Sequence, residues 1–232
     1  MNQDLYQSLK SRVRGEVRFD RASRLMYSTD ASIYEIEPIG VVIPRTHEDV
    51  FATMEIAREF KVPVLPRGAG TSLAGQTVGE AVVIDMSKYL NRVLEVNTAE
   101  RWAIVEPGVV QEQLNLHLRP MGFLFGPDTS TANRATLGGM MGNNSAGSHS
   151  ILYGKTIDHV LEMDVILSSG EARTLREMKC EEAIALGGLE GRIAEIVHAN
   201  RDEIERRYPK IMRRVSGYNL DEFVRNGKFN LV

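Results

Sequence analysis

The chain has 232 residues, with 28 Lys and Arg against 31 Asp and Glu, a formal net charge of −3. Charged residues make up 25% and hydrophobic residues 43%, the composition of an ordinary globular chain. It excludes a disordered tail, a collagen-like fibre and a strongly basic nucleic-acid binder, and gives no electrostatic reason for capture by DNA, RNA or an anionic membrane.

At roughly 150 residues per domain, the length allows one large domain or two small lobes. Cys180 is the only cysteine, so neither an internal disulfide nor a cysteine metal site can form, which suits a reducing compartment. The start, MNQDLYQSLKSRVRGEV, lacks the apolar stretch of a secretory signal. No apolar run reaches the roughly 18–20 residues of a membrane span.

Leu5, Leu9 and Val13 recur every four residues and predict an amphipathic helix over Asn2–Val13. A short helix is expected near Arg21–Met26, then a buried strand at Gly40–Pro44. Thr46 followed by His47, Glu48 and Asp49 is an N-cap with acids in the first turn. It opens a helix to about Phe60, and Val62–Leu65 is the next strand. This β-α-β order predicts a parallel pair. Short strands follow at Ala81–Asp85, Arg92–Val96 and Ala103–Glu106, then a helix at Val109–Leu118. Residues 119–160 read mostly as loop. Leu161–Leu167 and Glu171–Leu175 form a hairpin about Ser169-Gly170, Gly191–Arg207 a charged helix, and the last 25 residues look irregular.

Two glycine-rich loops stand out. In Pro66-Arg-Gly-Ala-Gly-Thr-Ser-Leu-Ala-Gly-Gln76, glycines 68, 70 and 75 let backbone amides turn inward as an anion nest. Thr71 and Ser72 add hydroxyls and Arg67 a charge. The spacing is not the Rossmann fingerprint, and a strand rather than a helix follows. Gly154-Lys155-Thr156 imitates the tail of a phosphate-binding P-loop, but His149 stands where that motif needs glycine. The plain alternative for the first loop is a turn between strands, although eleven residues is long for one. The second loop, Gly126–Thr131 with Thr136–Ser148, is dense in Gly, Asn, Ser and Thr. It is either a flexible surface loop or a set of backbone donors waiting for a polar ligand; Leu137, Met140 and Met141 favour packing. Of the five histidines, His149 is the best functional candidate because it lies in this loop. Cys180, Trp102 and Lys155 read as an ordinary thiol, a packing residue and a solvated lysine.

Together these loops resemble the FAD-binding domain of the vanillyl-alcohol-oxidase/PCMH flavoprotein superfamily. Within it, the chain is similar to the branch of FAD-linked D-2-hydroxy-acid dehydrogenases that act on D-lactate, glycolate or D-2-hydroxyglutarate. The match is carried by Gly40–Pro44 with the helix after it, Pro66–Gln76, Pro127–Gly154 and Asp158–Gly170. Tyr27–Tyr34 resembles the family's lead-in, and Arg214–Leu220 the stretch before its last flavin-contacting strand. The motif of that strand and the family's substrate domain are not in the sequence, so the expectation is an N-terminal fragment, incomplete at its C-terminus.

The resemblance implies an α+β, two-lobed PCMH-type fold. Residues 1–35 would be an N-terminal helix and lead-in, and 36–232 the FAD-binding domain. Lobe one, about 36–100, would be small with a parallel βαβ unit, and lobe two, about 101–232, larger with a mainly antiparallel sheet and helices. FAD would lie extended between the lobes. Pro66, Arg67, Gly68, Ala69, Gly70, Thr71, Ser72 and Gln76 would hold its pyrophosphate. Pro127, Asp128, Thr129 and Ser130 would line the ribityl and pyrophosphate side, and Gly138 and Gly139 would allow close backbone approach. Asn143, Asn144, Ser145, Gly147 and Ser148 would contact the ring or diphosphate, with Val160 near the adenine. No histidine lies between Pro66 and Gln76, so the FAD is expected to be non-covalent.

The resemblance further implies hydride transfer from a small 2-hydroxy acid to the flavin, with the catalytic residues unknown and mainly in the absent domain. It implies an iron–sulfur domain or subunit as a partner of the full protein and a location in the cytoplasm or at the inner face of its membrane; the histidine spacing and the single cysteine predict no metal in this chain. Two alternatives stay open: another oxidase or reductase reaction on the same domain, and a non-catalytic flavin-binding module that needs another domain or subunit for turnover.

Overall fold

A computed structural model describes residues 2–211, 214, 217–225 and 227–232. The chain divides into two compact units, Met1–His159 with Ile166–Glu171 and Val160–Val165 with Ala172–Val232. The architecture is α+β, as expected.

The first unit is built on a four-stranded sheet. Its strands are β1 (Glu16–Arg18), β2 (Gly40–Ile43), β3 (Val64–Arg67) and β4 (Val82–Asp85), in the order β1-β2-β4-β3. β1 runs antiparallel to β2, while β2 and β3 both run parallel to β4. Helix α1 (Asn2–Arg12) lays Leu5 and Leu9 on this sheet, beside Val13, Val17, Val42, Val82 and Ile56 of α3 (His47–Glu59). The four-residue apolar spacing therefore reports a real buried face. The short helix α2 (Arg21–Met26) is capped by Asp20, whose carboxylate accepts from the Ser23 amide at 2.8 Å.

Thr46 caps α3 as predicted. Asp49, in its first turn and 2% exposed, accepts from the Arg14 and Arg45 amides at 2.7 and 2.8 Å. One buried carboxylate thus ties the α1–β1 turn to the β2–α3 turn.

The β-α-β expectation needs a correction. β2 and β3 are parallel within one sheet, but β4 lies between them. Pro66 lacks an amide, which confines β3 to the sheet edge, whereas every residue of β4 is buried and suits a central strand.

The rest of the first unit holds the hairpin β5 (Val93–Asn97) and β6 (Trp102–Val105), helix α4 (Gln111–Leu118), and short helices α5 (Leu137–Asn143) and α6 (Ser150–Tyr153). The last two interrupt what reads in the sequence as loop. Val109, Leu114, Leu118 and Leu137 form their core with Val93, Val96, Val105, Phe123 and Phe125. Gly108 seats its backbone on Met86 and Leu90, where a Cβ would overlap both carbonyls, and its amide donates to Leu90 at 2.7 Å. The lobe boundary expected near residue 100 falls inside this unit.

The second unit packs Ala183, Ala194 and Phe229 into a small core. β7 (Glu162–Ile166) pairs with β8 (Ala172–Arg176), and β9 (Met178–Lys179) lies beside β11 (Lys228–Phe229), which pairs with β10 (Val224–Arg225). The antiparallel strands thus fall into small separate sheets rather than one large one. The expected helix Gly191–Arg207 is two helices, α8 (Gly188–Ala199) and α9 (Arg201–Arg207), preceded by α7 (Cys180–Leu186). The break falls at Asn200, whose side-chain amide donates back to the Ile196 carbonyl at 2.8 Å and competes with the helical ladder. In the Arg214–Leu220 stretch, Arg214 pairs with Asp221 and Glu222 at 2.5 and 3.0 Å; Val215 and Ser216 lie outside the described residues. Among the described residues no helix is long and apolar enough to cross a membrane.

Candidate functional site

The first loop leaves β3 at Arg67 and is shaped by that residue. Its guanidinium donates to the carbonyls of Tyr27, Thr29 and Thr77 at 3.2, 2.8 and 2.9 Å, and its Cζ lies 5.3 Å from the centre of the Tyr27 ring. Burial lowers its pKa from the ordinary value. Arg67 therefore braces the loop, and its three backbone bonds explain why an arginine stands there. The Tyr27 hydroxyl donates to Asp85 at 2.5 Å; burial first, then this bond, raises the phenol pKa.

The lead-in clasps the loop from the other side. The Ala31 amide donates to Gly70 at 3.0 Å, Asp30 accepts the Thr77 hydroxyl at 2.9 Å, and the Tyr34 ring lies where a Cβ of Gly75 would be. Gly70 and Gly75 have φ of 67° and 72°, which glycine alone adopts freely. So braced, the loop keeps a run of backbone donors unclaimed. Among the described residues, nothing accepts from the amides of Gly68, Ala69, Gly70, Thr71 or Ser72. The Ser72 hydroxyl donates to the Gln76 carboxamide. Pro66 and Ala69 are exposed.

The second loop is pinned from beneath and across. Gln111, 1% exposed, donates from Nε2 to the Pro127 carbonyl and accepts the Thr129 hydroxyl at 3.1 Å and amide at 3.4 Å. One helical turn on, Asn115 exchanges two bonds with Phe125, at 2.7 and 3.2 Å. Asp128 accepts the His149 amide at 3.0 Å, the His149 ring Nδ1–H and the Ser148 hydroxyl at 3.2 Å. Burial raises the Asp128 pKa, but the His149 and Ser148 bonds outweigh it and hold the carboxyl below its usual range. Gly147 passes so close that a Cβ would overlap the Asp128 carbonyl. Ser130 is exposed.

The α5 region serves both loops. Thr136 caps α5 through the Gly139 amide at 3.3 Å, and its side chain fills the space where a Gly68 Cβ would be. The Gln76 carboxamide reaches Asn143 at 3.4 Å, and Asn143 donates to Ser145 at 3.2 Å. The Ser145 carbonyl accepts from the Thr156 amide and hydroxyl at 3.0 and 2.7 Å. Asn144 ends α5 at φ 44° and accepts the Ile157 amide at 3.1 Å. Gly138 packs on Pro107, and its amide donates to that carbonyl at 2.9 Å. Packing alone therefore accounts for glycine at 138, while Gly139 stays exposed.

The two glycine loops meet at Gly68–Thr136 and at Gln76–Asn143. What they present is unclaimed backbone donors, hydroxyls and carboxamides, with the nearby charges of Arg67 and Asp128 already paired. This donor set fits a long, polar, phosphate-bearing group in which neutral hydrogen bonds set the position.

The signature of the FAD binding domain family matches residues 38–176, more than half of the chain. The chain belongs to that family, and its cofactor is FAD. The domain is 41% identical over 216 residues to the D-2-hydroxyglutarate dehydrogenase of Pantoea ananatis, covering 89% of this chain and 21% of that protein. It is 34% identical over 163 residues to the glycolate oxidase subunit GlcD of Bacillus subtilis, covering 68% and 35%. The chain thus spans about a fifth to a third of the length of these relatives. Its fold is similar to that of p-cresol methylhydroxylase, with a TM-score of 0.63 at 19% identity over 75% of this chain and 35% of that one. That likeness places the FAD-binding domain in the PCMH-type fold.

Of the expected contact residues, the structure gathers those of the two loops and α5 in the first unit. Val160, half-buried, belongs to the second unit. Sequence reasoning missed Gln111, Asn115 and Thr136. The legible signal was a pair of carboxamides four residues apart on a helix, on the same side as the apolar Leu114 and Leu118.

Proposed function

We propose that this domain holds FAD non-covalently, through the amides of Gly68–Ser72 and the polar edge of the second loop, as part of a dehydrogenase for small 2-hydroxy acids such as D-2-hydroxyglutarate, glycolate or D-lactate. The observation that carries the reading is the run of five amides with no acceptor among the described residues, in a loop braced by Arg67 and seated against Thr136. The names of the relatives, which act on D-2-hydroxyglutarate or are glycolate oxidase subunits, supply the substrate class. Bound FAD supplies the acceptor for a hydride leaving the substrate carbon.

This chain's residues bind and orient. The Arg67 guanidinium is held by three carbonyls, of Tyr27, Thr29 and Thr77, and the Asp128 carboxylate by three bonds from Ser148 and His149. A substrate carboxylate and a hydroxyl proton therefore call for groups outside these loops. An iron–sulfur domain or subunit is a fitting electron acceptor in the whole protein, and the single cysteine suits the cytoplasm.

The test is absorbance of the purified chain titrated with FAD, followed by anaerobic addition of D-2-hydroxyglutarate, glycolate or D-lactate. Bound yellow flavin bleached by one of these acids supports the dehydrogenase. Bound flavin that none of them bleaches in this chain, nor in the chain joined to the rest of its relatives' length, supports a flavin-binding module. A chain that takes up no FAD overturns the cofactor role of the loops.

A further inference from the structure

The segment Phe125–Thr129 has no strand partner among the described residues, yet Gly126 and Pro127 are buried. Buried peptide groups need partners. Here two carboxamide side chains of α4 supply them. Asn115 takes the amide and carbonyl of Phe125, and Gln111 takes the carbonyl of Pro127 and the amide of Thr129. A carboxamide offers the same donor and acceptor as a peptide unit, so this helix face substitutes for a neighbouring strand. The bonds fall on alternate residues, 125, 127 and 129. Asp128, between two of them, is used by a different part of the chain, Gly147–His149.

Asn115 fixes only the start of the segment. Gln111 fixes the part that resembles the cofactor-contacting stretch, and it also takes the Thr129 hydroxyl. At 1% exposed, it cannot be relieved by water. We infer that Gln111 is the positioning residue of the FAD site. It sets the height and direction of Pro127–Ser130 without touching the cofactor itself. The inference rests on the reading that Pro127–Ser130 lines the FAD.

The conservative change Gln111→Glu keeps the size and an acceptor for Thr129, and in its carboxylate form removes the donor to the Pro127 carbonyl, so it is measured at about pH 8. Gln111→Met keeps the length and removes both functions. Each leaves a buried carbonyl or amide unpaired, a loss large enough to weaken FAD binding about tenfold. Leu118→Ala, in the apolar core of the same helix, is the comparison for a loss of packing that leaves the Gln111 bonds in place.

The experiment measures the FAD dissociation constant by flavin fluorescence, and the melting temperature of the FAD-free chain, for the wild type and the three variants. Hydrogen exchange at the Thr129 amide is followed in the same chains. The expected result is that both Gln111 variants weaken FAD binding and speed exchange at Thr129, while Leu118→Ala lowers the melting temperature with affinity within twofold. In a double-mutant cycle, Gln111→Met and Thr129→Val are expected to be non-additive in FAD affinity. Wild-type affinity in the Gln111 variants, or an equal affinity loss in Leu118→Ala at a matched melting temperature, overturns the inference and leaves the functional reading standing. If the Gln111 variants do not fold, Thr129→Val carries the test: unchanged affinity and exchange there overturn the inference too. A wild-type chain that binds no FAD overturns both.

Discussion

At the scale of single residues, the glycines of the second loop serve different ends. Gly147 is required because the Asp128 carbonyl occupies the place of its Cβ, whereas nothing lies within 4 Å of a Cβ built at Gly142. Gly147→Ala is therefore expected to lower unfolding stability by about 3 kcal/mol through forced backbone movement. Gly142→Ala, inside α5, should raise it by about 0.5 kcal/mol through helix propensity. Urea unfolding of the two variants, five residues apart in the chain, separates close approach from flexibility; equal effects would refute the packing account. Gly68 belongs with Gly147, since Thr136 takes its Cβ space. Arg67 shows the reverse case. A charge in a candidate phosphate loop suggests an anion partner, and only coordinates reveal that three carbonyls already hold it.

At the scale of elements, short segments are fixed by side chains that bridge them. Glu16 on β1 receives Lys88 at 2.6 Å, the Tyr89 hydroxyl at 2.6 Å, and Arg18. Lys88 and then Tyr89 are the main causes that draw its carboxyl from the ordinary 4.5 to about 2. A depressed native pKa means that the unfolded chain takes up the proton first as pH falls. The Glu16 contribution should be complete above its unfolded pKa of 4.5 and fade as pH drops toward about 2. Urea midpoints of wild type and Glu16→Gln across that range should converge on acidification; a gap that stays constant rules the contribution out. The same logic explains why β1 exists. Three residues do not announce a strand in the sequence, and Val17 is held there by pairing with Val42 and by the apolar face of α1.

At the scale of the molecule, FAD binds the folded state and should stabilise it by mass action. A hundredfold excess over the dissociation constant adds about 2.7 kcal/mol. The melting temperature should therefore climb with FAD concentration, and hydrogen exchange at the amides of Gly68–Ser72 should slow in the loaded protein. Exchange there that ignores FAD would show that these amides are not its donors. The first unit carries a core on both sides of residue 100, with Gly108 seated on Met86 and Leu90. Thermal stabilisation should accordingly be read from probes on β4 and α4 together, not from the loops alone.

The sequence by itself determined the elements whose signal is local. The Leu5–Leu9–Val13 spacing, the Thr46 cap, the apolar runs of β2 and β4, and the two glycine loops are all written in residues near one another, and the order of those loops was enough to point to FAD. Only the tertiary structure decided which strand neighbours which, since β4 enters between β2 and β3 through contacts distant in the chain. It alone showed that Arg67 and Asp128 brace the backbone around their loops, and revealed Gln111 beneath the second loop. Hydrogen bonds of that kind join residues tens of positions apart. No periodicity encodes them; they follow from burial, which leaves each peptide group to find a partner wherever the fold brings one.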